Sequence, residues 1–231
     1  MNQEQLVKLA KELGISFNQI LREEAEMTVL DELAKNKISA KMLFYGGTAL
    51  RLAYGSPRFS EDLDFLVIKP LPFGEFKEFI GRLIKQNEHW SLKDIKDKRQ
   101  TMFALILVKD EKLKYNFSLK IEAHKPKNQV RLESELRLIK SLISVFEPLL
   151  LTPTLNELKR LKEDALIGRK KARDIFDLWY IAQVGQANLI LPSRLPRYTA
   201  REFQNELQVF LPKKYYPIIK QLYGKINQKN K

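Results

Sequence analysis

Three acidic residues stand at the head of an apolar run in the first third of the chain. Glu61, Asp62 and Asp64 surround the start of a stretch, D-L-D-F-L-V, that is typical of a buried strand. In a strand, residues i and i+2 point to the same face, roughly 6.5 to 7 Å apart along the strand axis. Asp62 and Asp64 are therefore predicted to project together, while Leu63 and Phe65 point into the core. Two carboxylates held side by side repel each other, so the pattern predicts a cation between them.

The residues upstream of this pair predict a phosphate site. Mg²⁺, or Mn²⁺ in its place, takes few protein carboxylates and completes its coordination with water and substrate phosphate. Gly46-Gly47-Thr48 is predicted to open a helix. A glycine turn at a helix N-terminus offers free backbone N–H groups, which suit a phosphate. A short helix joins this turn to the acids, so the two sites are expected to face one pocket.

A third carboxylate is predicted on another strand. From Lys114 to Ala123 the residues alternate, with Tyr115, Phe117, Leu119 and Ile121 on one face and Ser118, Lys120 and Glu122 on the other. If this strand neighbours the acid pair, three carboxylates surround two metal ions, roughly 3.5 to 4 Å apart, the arrangement that transfers phosphoryl or nucleotidyl groups. Alone, a D-x-D pair is more often a strand cap or a surface pair. The combination with the glycine turn and Glu122 favours a metal site.

The elements that must position these residues follow from the periodicity of the apolar residues. We predict an α+β fold, with a small mixed sheet, flanking helices and a C-terminal helical bundle. A domain boundary is predicted near Pro153, which divides the chain into residues 1–152 and 153–231. The segment from Asn128 to Pro148 shows no clear pattern. The predicted helices are Gln3 to Leu13, Phe17 to Ala34, a short one closed by Gly55, Phe73 to Gln86, Thr154 to Gly168, Ala172 to Gln183, Ala200 to Phe210 with Thr199 as its N-cap, and Tyr215 to Asn227; the predicted strands are M-L-F-Y, Asp62 to Ile68, and a hairpin of Gln100 to Lys109 with Lys114 to Ala123.

The amino-acid composition limits the classes of protein to which the chain can belong. The 231 residues include no cysteine, which excludes disulfides and thiolate metal sites. The net charge of +13 favours a polyanionic partner such as nucleic acid or nucleotide. The alternative is that the many charged residues serve solubility or thermal stability. The N-terminus does not resemble a signal peptide, and no apolar run could cross a bilayer, so we expect a cytoplasmic protein without a membrane partner.

The strings around these residues resemble a known family. G-G-T-A-L-R-L…R-x-S-x-D-L-D-F is similar to motif one of the AbiEii/AbiGii toxin nucleotidyltransferases, within the DNA polymerase β-like nucleotidyltransferase superfamily. S-L-K-I-E resembles the family's second motif, a lysine-x-acid. The stretch K-E-D-A-L-I-G-R-K-K-A-R-D-I-F-D-L resembles its helical motif. The matching positions of the three motifs are Gly46 to Phe65 with Arg58 and Ser60, then Lys120 and Glu122, then Lys162, Ala165, Arg169, Arg173, Asp174, Asp177 and Leu178.

The resemblance implies roles for these residues, with the nucleotidyltransferase domain in residues 1–152. The implied catalytic residues are Asp62, Asp64, Glu122 and Lys162, of which the three acids hold metal. The implied nucleotide-binding residues are Gly46, Gly47, Thr48, Arg58, Ser60, Lys120, Lys162, Asp174 and Asp177. Two alternatives stay open: Lys162 is a core-edge lysine whose ammonium reaches solvent, and Asp174, Asp177 and Arg173 form a structural clasp between helices.

The function that follows is a Mg²⁺-dependent toxin nucleotidyltransferase, which moves a nucleotide from an NTP to an acceptor. The resemblance suggests the tRNA 3′ end as an acceptor and a transcriptional-regulator-like antitoxin as a partner. The alternatives are nucleotidylation of a protein or a small molecule, and a non-catalytic NTP- or RNA-binding module. His89 and His124 lack ligand spacing to each other and are predicted to be ordinary residues, and Trp90 and Trp179 are expected in the core.

Overall fold

A five-stranded mixed sheet and two groups of helices make up the fold. The computed structural model of the chain describes residues 1–127, 132–192 and 195–229. The helices in these ranges are α1 (Gln3–Leu13), α2 (Phe17–Ala34), α3 (Gly46–Tyr54), α4 (Phe73–Gln86), α5 (Leu155–Arg169), α6 (Ala172–Val184), α7 (Ala200–Gln208) and α8 (Tyr216–Lys229). The strands are β1 (Met42–Tyr45), β2 (Asp62–Val67), β3 (Trp90–Lys98), β4 (Thr101–Val108), β5 (Phe117–His124), β6 (Ser134–Leu138) and β7 (Leu149–Pro153).

The main sheet has the strand order β1-β2-β5-β4-β3. Strands β2 and β5 are parallel, and the other neighbours are antiparallel. β6 and β7 form a separate antiparallel pair. The predicted α+β class with a small mixed sheet and flanking helices is confirmed, and so is the hairpin of β4 and β5.

Sequence-encoded caps fix where several helices begin. Asn2 with Gln5, Ser16 with Gln19, and Thr199 with Glu202 form reciprocal capping boxes at the starts of α1, α2 and α7. The predicted N-cap at Thr199 is therefore confirmed. Helix α3 begins differently, because its N-cap, Tyr45, makes no side-chain capping hydrogen bond. The backbone N–H groups of its first turn are left without a side-chain acceptor.

Three strands were not predicted by the residue pattern, and one residue predicted on the apolar face of a strand is exposed. β3 is an edge strand with a register shift between Leu92 and Asp94, which breaks its alternation. β6 and β7 lie partly in the segment that shows no clear pattern, of which residues 128–131 are outside the described ranges. Tyr115, predicted on the buried face of β5, is 73% exposed because the strand begins two residues later at Phe117.

Two clusters of buried apolar side chains stabilise the fold. The larger one surrounds the main sheet, and the smaller one lies among α5 to α8, with Phe176 and Phe203 fully buried. Leu158 and Ile181 belong to the larger cluster although they come from α5 and α6. The helical part therefore packs directly against the sheet. None of the helices formed by the described residues combines the length and the apolar content that crossing a membrane requires.

Candidate active site

A cavity of about 370 Å³ lies between the polar face of the sheet and helices α5 and α6. One wall comes from the sheet and the start of α3, and the other from the two helices. The sheet wall consists of Tyr45, Gly46, Asp62, Asp64, Lys120, Glu122 and His124. The helix wall consists of Leu158, Leu161, Lys162, Ala165, Arg169 and Arg173.

The parallel pairing of β2 with β5 brings the acids together. Asp62 is opposite Lys120, and Asp64 is opposite Glu122. Burial alternates along β5, with Phe117, Leu119 and Ile121 buried and the residues between them half-buried. The polar face of β5 therefore lies beside the polar face of β2. Glu122 lies in the same cavity as both aspartates, 58 residues or more away from them in sequence.

Lys120 supplies a cation to two of the three acids. Its Nζ lies 3.0 Å from Asp62 Oδ2 and 2.9 Å from Glu122 Oε2. Burial raises the pKa of the Asp62 carboxyl, and the nearby Asp64 charge adds to the rise, while Lys120 opposes it. Burial alone would lower the pKa of the Lys120 ammonium, but the two carboxylates outweigh it and raise that pKa. Part of the repulsion expected among the acids is thus relieved within the protein.

Glu122 also belongs to a second group, with Asp64 and His124. One potential ligand atom from each lies within 4.8 Å of the others, the one such cluster of three or more among the described residues. His124 Nε2 is 3.6 Å from Asp64 Oδ1. The residue pattern ends this strand at Ala123 and gives His124 no role. In the structure β5 extends to His124, which is two residues beyond Glu122 and lies on the same face.

The glycine turn allows close approach of the backbone to the acids and to Arg58. Gly46 has a φ of +87°, and a Cβ atom there would lie 2.7 Å from Asp64 Oδ2. A Cβ on Gly47 would lie 2.4 Å from Arg58 Nη2 and 3.0 Å from Ser60 Oγ. Any larger residue would therefore displace these side chains. The start of α3 lies directly against the carboxylate of Asp64.

Thr48 holds the turn in place from inside the protein. Its side chain is fully buried, and its hydroxyl donates a hydrogen bond of 2.5 Å to the Asp62 carbonyl. This bond fixes α3 to the first residue of β2. Thr48 itself does not line the cavity.

A buried ion network supports the helix wall. Arg58 donates two hydrogen bonds to Asp177, at 2.7 and 2.8 Å. Lys162 Nζ lies 2.6 Å from Asp177 Oδ2 and 3.2 Å from Asp174 Oδ1. Arg169 donates to both oxygens of Asp174, at 2.8 and 2.7 Å. Both aspartates are fully buried, so the network joins the loop before β2 to α5 and α6.

These contacts correct the predicted position of Lys162. The sequence places it at the edge of an apolar stripe of Leu158, Leu161 and Ala165, but the buried residues of α5 are Leu158, Lys162 and Leu166. Lys162 is only 4% exposed because two carboxylates compensate its charge. Burial alone would raise the pKa of Asp177, but the cations of Arg58 and Lys162 lower it to about 2.

The predicted site residues divide into two sets. Those that line the cavity are Gly46, Asp62, Asp64, Lys120, Glu122 and Lys162. Those that lie behind it are Gly47, Thr48, Arg58, Ser60, Asp174 and Asp177. The second set holds the first in place through the turn and the ion network.

Besides three apolar residues of α5, four cavity residues with polar side chains are absent from the predicted site: Tyr45, His124, Arg169 and Arg173. Arg169 and Arg173 occur in the helical motif, so the helical spacing of that motif could have placed them beside Lys162. Arg173 Nε is buried and has no hydrogen-bond partner within the described ranges. The two arginines give the helix wall a positive charge opposite the acids of the sheet wall.

A larger cavity of about 850 Å³ lies between α1, α2 and the turn after β4. Its acidic residues, among them Glu12, Glu24 and Asp110, do not form a group of potential metal ligands in the part of the chain that the structure describes. The smaller cavity, in which acids and cations face each other, is therefore the candidate active site.

Comparisons with known proteins show the family and the fold to which the chain is related. Residues 28–223 match the family profile described as nucleotidyl transferase AbiEii toxin, type IV toxin–antitoxin system. The comparison with curated proteins found no match.

Three solved structures share the fold. Crystal structures of JHP933 and of a candidate nucleotidyltransferase, both from Helicobacter pylori, are 20% and 23% identical to the chain, each with a TM-score of 0.56. The alignments cover 94% and 93% of this chain and 96% and 98% of those chains. MenT4, a nucleotidyltransferase toxin from Mycobacterium tuberculosis, is 15% identical with a TM-score of 0.59, over 90% of this chain and 70% of that chain.

Proposed function

The chain belongs to the AbiEii nucleotidyl transferase toxin family, and on that premise we propose that it transfers a nucleotide from an NTP to an acceptor with the help of a divalent metal ion. The observation that carries this proposal is the pair of opposed walls in the cavity. The sheet wall presents Asp62, Asp64 and Glu122, and the helix wall presents Arg169 and Arg173. Carboxylates suit a metal ion, and arginines suit phosphate oxygens.

The donor atoms of the sheet wall fit a divalent ion. Carboxylate oxygens are ligands that Mg²⁺ and Mn²⁺ accept. Gly46 has no Cβ, an atom that would lie 2.7 Å from Asp64 Oδ2 and crowd this potential ligand atom. Asp62, Asp64 and Glu122 are the carboxylates available to hold the ion, which when bound would supply positive charge to the triphosphate and to the developing negative charge.

The remaining parts of the cavity would bind and orient the NTP. The first turn of α3 donates backbone N–H groups to phosphate oxygens at Gly46, where no side chain caps the helix. Arg169 and Arg173 pair with phosphate oxygens from the opposite wall. Lys162 supports that wall through its ion pairs with Asp174 and Asp177.

The reaction is a substitution at the α-phosphorus. An acceptor oxygen forms a bond to the α-phosphorus, the bond between that phosphorus and the oxygen bridging to the β-phosphate breaks, and pyrophosphate leaves. The proton of the acceptor hydroxyl passes to a carboxylate of the sheet wall. The arginines of the helix wall stabilise the negative charge that accumulates on the departing pyrophosphate.

The acceptor that the charge of the protein favours is RNA, and we propose the tRNA 3′ end. A net charge of +13 attracts a polyanion through steering and counterion release. A protein or small-molecule acceptor is the alternative within the same chemistry. A binding module without turnover is disfavoured, because binding alone does not need three converging acids. The family is one of toxin–antitoxin systems, so we also propose an antitoxin partner.

A labelling experiment tests the proposed acceptor. Each of the four [α-³²P]NTPs is incubated with the protein, Mg²⁺ or Mn²⁺, and total RNA or total protein. We expect label in RNA of tRNA size with the wild type and with Asp164→Asn, a control because Asp164 is an exposed acid on α5. Label in protein would replace the RNA acceptor with the alternative. NTP binding without any labelled product would contradict the enzymatic function.

A further inference from the structure

We propose that His124 is a ligand of the site's divalent ion, so that Asp64, Glu122 and His124 form a carboxylate–imidazole site suited to a transition metal such as Mn²⁺. This inference rests on the proposed function, because the ion in question is the cofactor of nucleotide transfer. It assigns a role to a residue that neither the residue pattern nor the family motifs quoted above include.

The backbone of the sheet places the three side chains together. Asp64 of β2 is opposite Glu122 of β5 in the parallel register, and His124 follows Glu122 by two residues on the same face. One ligand atom from each residue lies within 4.8 Å of the others. All three side chains are partly exposed to the cavity rather than buried in the core, with fractional exposures of 26%, 19% and 34%. They can therefore reach an ion that enters from solvent.

Neighbouring residues orient the imidazole ring. Its Nδ1 lies 3.3 Å from the Thr101 hydroxyl on β4, and its Nε2 faces Asp64 Oδ1 at 3.6 Å. The Tyr45 ring contacts it edge-on, with 6.0 Å between centroids. Metal-binding histidines commonly donate their second ring N–H to an oxygen acceptor, which fixes the tautomer. With Nδ1–H donating to Thr101, the lone pair of Nε2 is directed to the carboxylates.

The position of Lys120 explains why the proposed third ligand, beside Asp64 and Glu122, is the nitrogen of His124 and not an oxygen of Asp62. The ammonium of Lys120 lies within 3.0 Å of both Asp62 Oδ2 and Glu122 Oε2. It occupies the space between these two acids, so an ion bound by Asp62 and Glu122 together would have to displace it. Within the described ranges no lysine forms an ion pair with Asp64 or His124, and these two side chains face each other at 3.6 Å. Together with Glu122 they provide two carboxylates and one imidazole.

The donor set predicts which metals bind well. Mg²⁺ prefers oxygen ligands and near-ideal octahedral geometry. An imidazole nitrogen raises the affinity for first-row transition ions relative to Mg²⁺. We therefore expect the imidazole to increase the preference of the site for Mn²⁺ over Mg²⁺. A site with an oxygen ligand in that place would show a smaller preference.

Electron paramagnetic resonance of bound Mn²⁺ tests this directly. Electron spin echo modulation detects a ¹⁴N nucleus bonded to the ion, and the chain has only two histidines, His89 and His124. The wild type, His124→Gln and His89→Gln are each titrated with Mn²⁺ and then with competing Mg²⁺. His89→Gln is a matched control, since His89 lies in the larger cavity. Circular dichroism checks that all three proteins are folded.

We expect imidazole modulation in the wild type and in His89→Gln, and its loss in His124→Gln. The Mn²⁺ dissociation constant should rise at least about tenfold in His124→Gln, with a smaller rise for Mg²⁺. Modulation that persists in His124→Gln, or that is absent from the wild type, would overturn the inference. If the inference fails while the wild type still transfers nucleotide and Asp64→Asn does not, the proposed function stands with an oxygen-only site. Transfer that survives in Asp64→Asn would instead refute the proposed function.

Discussion

The buried ion network behind the helix wall makes a prediction about stability. Asp177→Asn keeps the shape of the side chain but removes one of two buried negative charges. In the wild type the buried cations of Arg58 and Lys162 are balanced by Asp174 and Asp177, with at most 5% exposure of any of the four side chains. After the change, two buried cations share one carboxylate, which Arg169 also contacts. An uncompensated charge is left inside the protein.

The magnitude follows from the burial of the pair. Removing one partner of a buried ion pair costs about 3–5 kcal/mol of unfolding free energy. Domains have total stabilities of about 5–15 kcal/mol, so the loss is a large share of the total. Since ~1 kcal/mol corresponds to ~2–4 °C for a domain of this size, the melting temperature should fall by about 6–20 °C. Urea unfolding and differential scanning calorimetry measure both quantities.

Two further variants make the test specific. Asp164→Asn removes an exposed acid of α5 and should change the unfolding free energy by less than ~0.5 kcal/mol. The double variant Lys162→Met with Asp177→Asn restores the balance of buried charges, so its loss should be smaller than the sum of the single losses. A loss below ~1 kcal/mol in Asp177→Asn, or strict additivity in the double variant, would refute the reasoning.

The same network predicts a dependence on pH. The pKa of Asp177 is lowered from 3.8 to about 2 by the Arg58 and Lys162 cations, against the opposing effect of burial. A carboxyl with a lowered pKa in the folded state contributes stability that is fully present above the unfolded pKa. That contribution is lost as the pH falls from near 4 toward 2. The difference in stability between the wild type and Asp177→Asn should therefore shrink over this range.

Three other perturbations have expected outcomes. Burial raises the pKa of Glu26, and its Oε1 has no hydrogen-bond partner among the described residues, so wild-type stability falls as the pH rises above about 4.5. Glu26→Gln should therefore raise the melting temperature at pH 7.5, and a gain of the same size at pH 4 would contradict this explanation. Gly47→Ala places a Cβ 2.4 Å from Arg58 Nη2 and should lower the unfolding free energy, measured in urea, by about 1–3 kcal/mol. Gly81→Ala in α4, where a Cβ meets nothing within 4 Å, should be neutral or stabilising, and equal effects of the two variants would exclude the steric explanation. Arg173→Gln removes the proposed charge-assisted contact to phosphate and should weaken NTP binding about tenfold or more; an unchanged dissociation constant by calorimetric titration would show that Arg173 does not contact the nucleotide.

The polar alternation of β5 and the D-x-D of β2 were sufficient to predict which acids share a face. Alternation with a period of two is a local property, so Glu122 could be placed on the polar side of its strand from the residues alone. The residues alone did not predict that β2 and β5 are neighbours, so the third carboxylate was predicted only on that condition. The parallel register that aligns Asp64 with Glu122 depends on the packing of the whole sheet.

The features that the sequence did not predict depend on distant residues or on breaks in periodicity. Lys162 is buried because Asp177, 15 residues away, compensates its charge. No pattern local to α5 could show this. The bulge near Leu92 shifts the alternation of β3, which hides the strand from a search for period two. His124 was missed because the alternation of apolar residues ends at Ala123, whereas the backbone pairing continues one residue further.

Transfer of the α-phosphate at the sheet wall is the central claim, and a pair of labelled nucleotides tests it most directly. The protein is incubated with RNA, a divalent ion, and the same NTP labelled either at the α- or at the γ-phosphate. We predict that the α-label enters the acceptor and the γ-label is released as pyrophosphate, and that Asp64→Asn, with unchanged melting temperature or nearly so, does neither. Entry of the γ-label into the acceptor, or undiminished α-label transfer by Asp64→Asn, would contradict the assignment of this cavity as a nucleotidyltransferase active site.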